Sequence, residues 1–166
     1  MEQKCQEILA INPGWRYLGI AILNDSDLRE WRLKVLSGKR PEDRIRKAIE
    51  ILSQFIERNG PQILAIKELH PSRSSANLRK LTARIKAYCR RKKMKIFSYT
   101  IKDLEFFFGP AEKINKKHLA ELIVSEYPAL EYELKHEQRN KNQYFVRLFE
   151  AVGLGLVCYQ KNKDNY

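Results

Sequence analysis

Asn12 closes an apolar run at residues 8–11 and is followed at once by Pro13 and Gly14, before a second apolar run over residues 18–23. Two such runs around a polar turn specify a buried antiparallel hairpin. Asn12 therefore ends the first strand, with an amide carbonyl as a neutral oxygen donor. An aspartate there would bring the full negative charge that holds a divalent cation; asparagine lacks it. A second chemistry is electrostatic. Arg79, Lys80, Arg84, Lys86, Arg90, Arg91, Lys92, Lys93 and Lys95 crowd one short stretch, a density suited to meeting a polyanion. His70, His118 and His136 show no metal-ligand spacing. Cys5, Cys89 and Cys158 lie far apart without a C-x-x-C, so they read as free and mostly buried thiols.

The charge balance extends the second point. Across 166 residues, 32 Lys plus Arg stand against 20 Asp plus Glu, leaving +12. Nucleic acid is the first partner this implies. A surface merely solubilised by Lys and Glu is the alternative, and clustering of the basic residues argues against it. A hydrophobic content of 43% is enough for a real core, and residues 1–166 read as a single domain. No apolar stretch approaches the roughly eighteen residues of a membrane helix. The opening MEQKCQE lacks the basic-then-apolar order of a secretory leader, so the expectation is a cytoplasmic protein without membrane contact.

The elements that must position these residues follow from periodicity. Residues 28–36 alternate as a third strand, with Leu28, Glu30, Arg32 and Lys34 on one face and Trp31, Leu33 and Val35 on the other. Pro41, Glu42 and Asp43 open a helix whose stripe is Ile45, Ala48, Ile49, Leu52, Phe55 and Ile56, stopped by Asn59-Gly60-Pro61. Residues 62–68 form a fourth strand, parallel to the first after a crossover helix. A polar loop over 70–75 leads to a helix over 76–92, with Leu78, Leu81, Ile85 and Tyr88 as its stripe. Residues 95–99 are a fifth strand and 101–108 a short amphipathic helix. Gly109-Pro110 precedes a helix carrying Leu119, Leu122, Ile123 and Val124. Residues 130–142 read as a loop or weak helix. A last helix over 144–159 has Gly153 and Gly155 for close packing on the sheet.

Ile11-Asn12-Pro13-Gly14, followed by Gly19-Ile20-Ala21, resembles the opening of the RuvC-like Holliday junction resolvases of the RNase H-like superfamily, which reads roughly I-D-P-G and then G-x-A. The sugar kinase and actin ATPases also open on such a hairpin, but they need two domains of this kind. The resemblance covers nearly the whole chain and implies an α/β, RNase H-like (RuvC-like) fold. Its mixed five-stranded sheet is flanked by helices, and its first three strands are antiparallel.

The resemblance also implies a site of four acidic residues, or three and a histidine, gathering two divalent cations about 4 Å apart to cleave a phosphodiester. Asn12 takes the first position. Lys67 takes the second, with Glu68 one step along; alternation points Glu68 to the opposite face unless a bulge intervenes. On the last helix Glu150, followed by Ala151, matches the Asp-Ala pair, and Arg147 falls at the earlier position. One carboxylate of four stays in place. Such a pocket repels Mg²⁺ and attracts phosphate. The bland reading makes Glu150 a salt-bridge partner of Lys67 or Arg147. The enzyme reading relocates the metal site to Glu68, Glu150 and Asp103, with Mg²⁺ or Mn²⁺ as cofactor.

Further contacts follow from the same resemblance. Phe108 to Lys113 looks like the family's glycine-containing segment with A-x-K, which makes Lys113, Lys116 and Lys117 the expected phosphate contacts at a helix start. Arg73, Arg79, Lys80 and Arg84 belong to the region that in resolvases faces the junction and helps two subunits meet. Phe106, Phe107 and Phe108 could wedge between bases, though three adjacent aromatics on a short helix more often fill a core. The leading expectation is a homodimeric, RuvC-like binder of branched DNA, with RNA as a further possibility, whose metal site has decayed and needs no cofactor. A divalent-metal endonuclease and a protein-interaction scaffold are the other classes.

Overall fold

A computed structural model describes residues 5–109, 114–139 and 145–163. Lys113, the end of the 130–142 segment and the start of the expected last helix lie outside the described residues. The elements, in order, are β1 (Glu7–Asn12), β2 (Tyr17–Asn24), β3 (Asp27–Val35), α1 (Pro41–Asn59), β4 (Ile63–Lys67), α2 (Ala76–Arg91), β5 (Lys95–Tyr99), α3 (Ile101–Phe108), α4 (Lys116–Glu126), a 3₁₀ turn (Pro128–Leu130), α5 (Glu131–Arg139) and α6 (Val146–Asn162). One five-stranded sheet runs β3-β2-β1-β4-β5. β1, β2 and β3 are antiparallel, and β4 and β5 join parallel to β1.

Strand alternation divides the core into two layers. Leu9, Ile11, Ile20, Ile22, Leu64 and Ile66 face α1 and α2. Ile8, Ala10, Ala21, Leu23, Ile63 and Ala65 face α3, α4 and α6. α1 has Pro41 in its first turn and ends at Gly60, whose φ of 60° is the left-handed cap that glycine adopts without strain. The parallel β1–β4 pair follows this crossover.

On the second face, Ala21, Ala10 and Ala65 sit side by side across β2, β1 and β4, with Trp31 and Phe97 at the outer ends of the row. Three small residues between two aromatics leave a trough, and α6 lies in it. A Cβ on Gly155 would collide with Leu23 and come within 3.3 Å of the Ala10 Cβ. Phe149, Val152, Leu154 and Val157 of α6 are almost fully buried. Each such side chain contributes roughly 1.5–3 kcal/mol relative to exposure. This close approach sets the depth of the residues on the first turns of α6.

Three expectations are corrected, and one reading open between loop and helix is resolved. The β2–β3 register shifts between Ile22 and Leu23, pairing Ile22 with Glu30 but Leu23 with Leu28, so Arg29 is an extra residue. That bulge brings Leu28 onto the same core layer as Trp31, not onto the face of Glu30 and Arg32. The 130–142 segment carries a regular helix over Glu131–Arg139, tied to the sheet by the Trp31 Nε1 donating to Glu133 Oε1 at 2.9 Å. Gly153 packs against Ile123 of α4 and Leu104 of α3, and not on the sheet. Phe107 and Phe108 join the core layer, but Phe106 is 71% exposed because it lies across α3 from buried Leu104.

Candidate functional site

The sheet ends where β1 and β4 finish, and alternation turns Asn12 and Lys67 toward α6, on the face of Ala10 and Ala65. Lys67 stands one step beyond the paired Ile11 and Ile66, so it is a direct neighbour of Asn12. Gly19 pairs with Asn12 from the other side, and its missing Cβ is what admits α6, since a Cβ there would strike the backbone carbonyl of Arg147. The helix crosses this end of the sheet with its first turns, and Glu150 descends into the corner.

There the Asn12 Nδ2 donates to Glu150 Oε2 at 2.6 Å, and Lys67 Nζ reaches the same oxygen at 2.9 Å. Asn12 Nδ2 also donates to the Arg147 carbonyl at 3.3 Å. Both of its partners are acceptors, which fixes the orientation of the amide. Glu150 and Asn12 are buried, while the Lys67 side chain keeps 21% of its surface exposed. Asn12 Oδ1 and Glu150 Oε1 are buried without a partner among the described residues. Arg147 lays its guanidinium over Gly14 in the β1–β2 turn and donates from Nη1 to the Pro13 carbonyl at 3.3 Å. Lys67 thus pairs with the one carboxylate of this corner, while the Arg147 guanidinium sits on the neighbouring turn.

The structure brings Asn12, Lys67, Arg147 and Glu150 together and leaves Glu68 outside. Glu68 is exposed, and its backbone N–H donates to the Tyr99 carbonyl at 2.8 Å, as in a regular strand end. Asp103 is occupied elsewhere: its Oδ2 accepts from the Thr100 N–H at 2.8 Å, and Thr100 Oγ1 accepts from the Asp103 N–H at 3.1 Å. This reciprocal pair caps α3. No group of three or more His, Cys, Asp or Glu that could hold a metal occurs among the described residues. The contribution of Pro13 and of the Arg147 carbonyl was not visible in the sequence, although Gly14 and Gly19 marked the close approach that needs them.

The basic residues divide. Arg73 is exposed in the loop before α2, and Lys116 and Lys117 are exposed in the first turn of α4. Arg79 Nη1 donates to the Ser74 carbonyl at 2.6 Å. Lys80 and Arg84 both meet Glu42 of α1, at 2.6 and 3.1 Å. The hydrogen bond and charge of Lys80, with the charge of Arg84, hold the Glu42 carboxyl below its ordinary range.

No family model and no curated relative matches the chain. Solved structures do. It is similar to T. thermophilus RuvC in complex with Holliday junction substrate, at a TM-score of 0.72 and 12% identity over 95% of this chain and 96% of that one. It is similar to the yeast mitochondrial Holliday junction resolvase, at 0.65 and 11% over 97% and 81%. The Fowlpox virus resolvase in complex with Holliday junction DNA matches at 0.59 and 14% over 94% and 98%. The mixed sheet with its flanking helices is the RuvC-like, RNase H-like fold expected from the hairpin and the element order.

Proposed function

We propose that this chain is a RuvC-like pseudonuclease that binds branched nucleic acid by its sugar-phosphate backbone, four-way junction DNA above all. The observation that carries the reading is the convergence of Lys67 Nζ and Asn12 Nδ2 on one oxygen of Glu150. A pair of divalent cations needs several negatively charged oxygen ligands. This corner offers one carboxylate, already paired with an ammonium, and a neutral amide. The residues do not fit two such cations. They do fit a phosphate: Arg147 directs one donor at Pro13, and the other N–H groups of its guanidinium suit phosphate oxygens.

Branched DNA is favoured because two of the similar structures hold a Holliday junction, RuvC of T. thermophilus and the Fowlpox virus resolvase. A two-fold junction is matched by a two-fold protein, so the binding form is a homodimer. The test is titration of four-way junction and linear duplex DNA over a range of salt. Tight junction binding that weakens steeply with salt is expected, since each neutralised phosphate releases counterions. Weak, salt-insensitive binding overturns the nucleic-acid reading. Cleavage in Mn²⁺ that disappears in Glu150→Gln overturns the pseudonuclease reading.

A further inference from the structure

α2 carries basic residues along its whole length, but the two ends use them differently. At the end nearer Lys67 and the Asn12–Glu150 corner, Lys80 and Arg84 are held by Glu42 and Arg79 by Ser74. At the other end Arg90, Arg91, Lys92 and Lys93 are all exposed and form no ion pair among the described residues. That end adjoins the start of β4, where the Lys95 N–H donates to the Gln62 carbonyl at 2.9 Å and Lys95 pairs with Ile63. The sixteen residues of α2 rise about 1.5 Å each, so the two ends stand roughly 24 Å apart, at opposite ends of the β4 and β5 strands.

Helix dipole attraction accounts for cations in the last turn, Arg90 and Arg91, but fades beyond it. Lys93 needs another reason. Its φ of 62° places it in the left-handed region, where glycine is the favoured residue and a side chain is strained. Glycine would relieve that strain, yet the position carries a lysine. Arg91 and Lys92 also lie against the Tyr88 ring, at 5.8 and 5.7 Å from its centre, which narrows where their charges can go.

We infer that Arg90, Arg91, Lys92 and Lys93 form a second phosphate-backbone contact, at the end of the strands opposite the Asn12–Lys67–Glu150 corner. One chain then grips nucleic acid at two separated places. The contact is assigned to the backbone because four adjacent cations match its regularly spaced phosphates. The partner class rests on the function proposed above.

The test uses the full chain and four-way junction DNA. The variant Arg90→Gln/Arg91→Gln/Lys92→Gln/Lys93→Gln is compared with a charge-matched control, Arg29→Gln/Arg32→Gln/Lys34→Gln/Lys39→Gln. The α2 variant is expected to lower the slope of log affinity against log salt by about 3.6, near 0.9 for each of four lost contacts, and the control by much less. Lys93→Gly alone is expected to melt no lower than the parent while losing about 1 from the slope. An equal loss in both quadruple variants, or no loss in the α2 variant, overturns the second contact and leaves the proposed function standing. Salt-insensitive binding by the unaltered chain removes both.

Discussion

Asn12 and Glu150, 138 positions apart, are joined by a 2.6 Å hydrogen bond from the amide nitrogen of one to the carboxylate of the other. The bond depends on Asn12 being a donor. Asn12→Asp replaces that donor with a second carboxylate in a buried corner already short of partners. Like charges at this separation favour proton uptake by the introduced group, so its proton affinity is higher in the folded chain than in the unfolded one. Stability then matches the parent below the unfolded aspartate range, near pH 4, and falls as pH rises. The expected deficit at neutral pH is about 1–3 kcal/mol. Urea denaturation across pH checks it; parallel pH profiles for variant and parent contradict it.

Lys67 is the only cation within salt-bridge distance of Glu150 among the described residues. Lys67→Met leaves a buried carboxylate with the Asn12 amide alone. The expected loss is about 2–3 kcal/mol, below the roughly 3–5 of a fully enclosed pair because the lysine side chain is 21% exposed. Lys67→Met combined with Glu150→Met removes both charges and should recover most of the loss. A double-mutant cycle by urea denaturation measures the coupling, and additive losses would show that the ion pair contributes nothing.

Local pattern carried most of the fold. The Asn12-Pro13-Gly14 hairpin, the α1 ends at Pro41 and Gly60 and the strand at residues 95–99 are all written in neighbouring residues. What escaped depends on residues far apart in sequence. The bulge at Arg29 is invisible because Leu28 fits the simple alternation of β3 as well as it fits the real one. α5 is secured by Trp31 and Glu133, and Lys80 and Arg84 are taken up by Glu42 on another helix. In the candidate site, the resemblance to resolvases pointed to four positions. Which oxygen of Glu150 meets which neighbour follows from how deeply α6 sinks into the alanine trough, and no short stretch of sequence records that depth.

That depth is itself testable at Gly19. An added Cβ would meet the Arg147 backbone, which cannot rotate away as a side chain can. Gly19→Ala should therefore push the first turn of α6 outward, cost about 1–3 kcal/mol as overpacking does, and separate Glu150 from Asn12. Amide hydrogen exchange should quicken in residues 147–150 more than in the last turns of the helix. Uniform exchange along α6 would show that the sheet, not the helix, gives way.

The cysteines should differ in reactivity. Burial pushes the Cys89 thiol up to about 12 and the Cys158 thiol up to about 11, so neither offers thiolate near neutral pH. Cys5 is exposed, yet the neighbouring charge of Asp25 raises its thiol above the ordinary value. Native protein at pH 8 should take up one equivalent of a thiol reagent, slowly. Asp25→Asn should speed that reaction, and raising the pH should speed it in the parent. Rapid modification of two or three thiols would contradict the buried positions of Cys89 and Cys158.

Glu42 has the opposite effect on its neighbours, holding Lys80 and Arg84 in surface ion pairs that contribute little to stability. Two positive charges of α2 are thereby turned toward α1. Glu42→Gln removes the attraction without changing the shape of the side chain. Affinity for junction DNA should rise severalfold at low salt, the salt slope should steepen by about 1, and the gain should shrink as salt screens it. The melting temperature should stay close to that of the parent. If affinity and slope do not change, Lys80 and Arg84 make no contact with the junction.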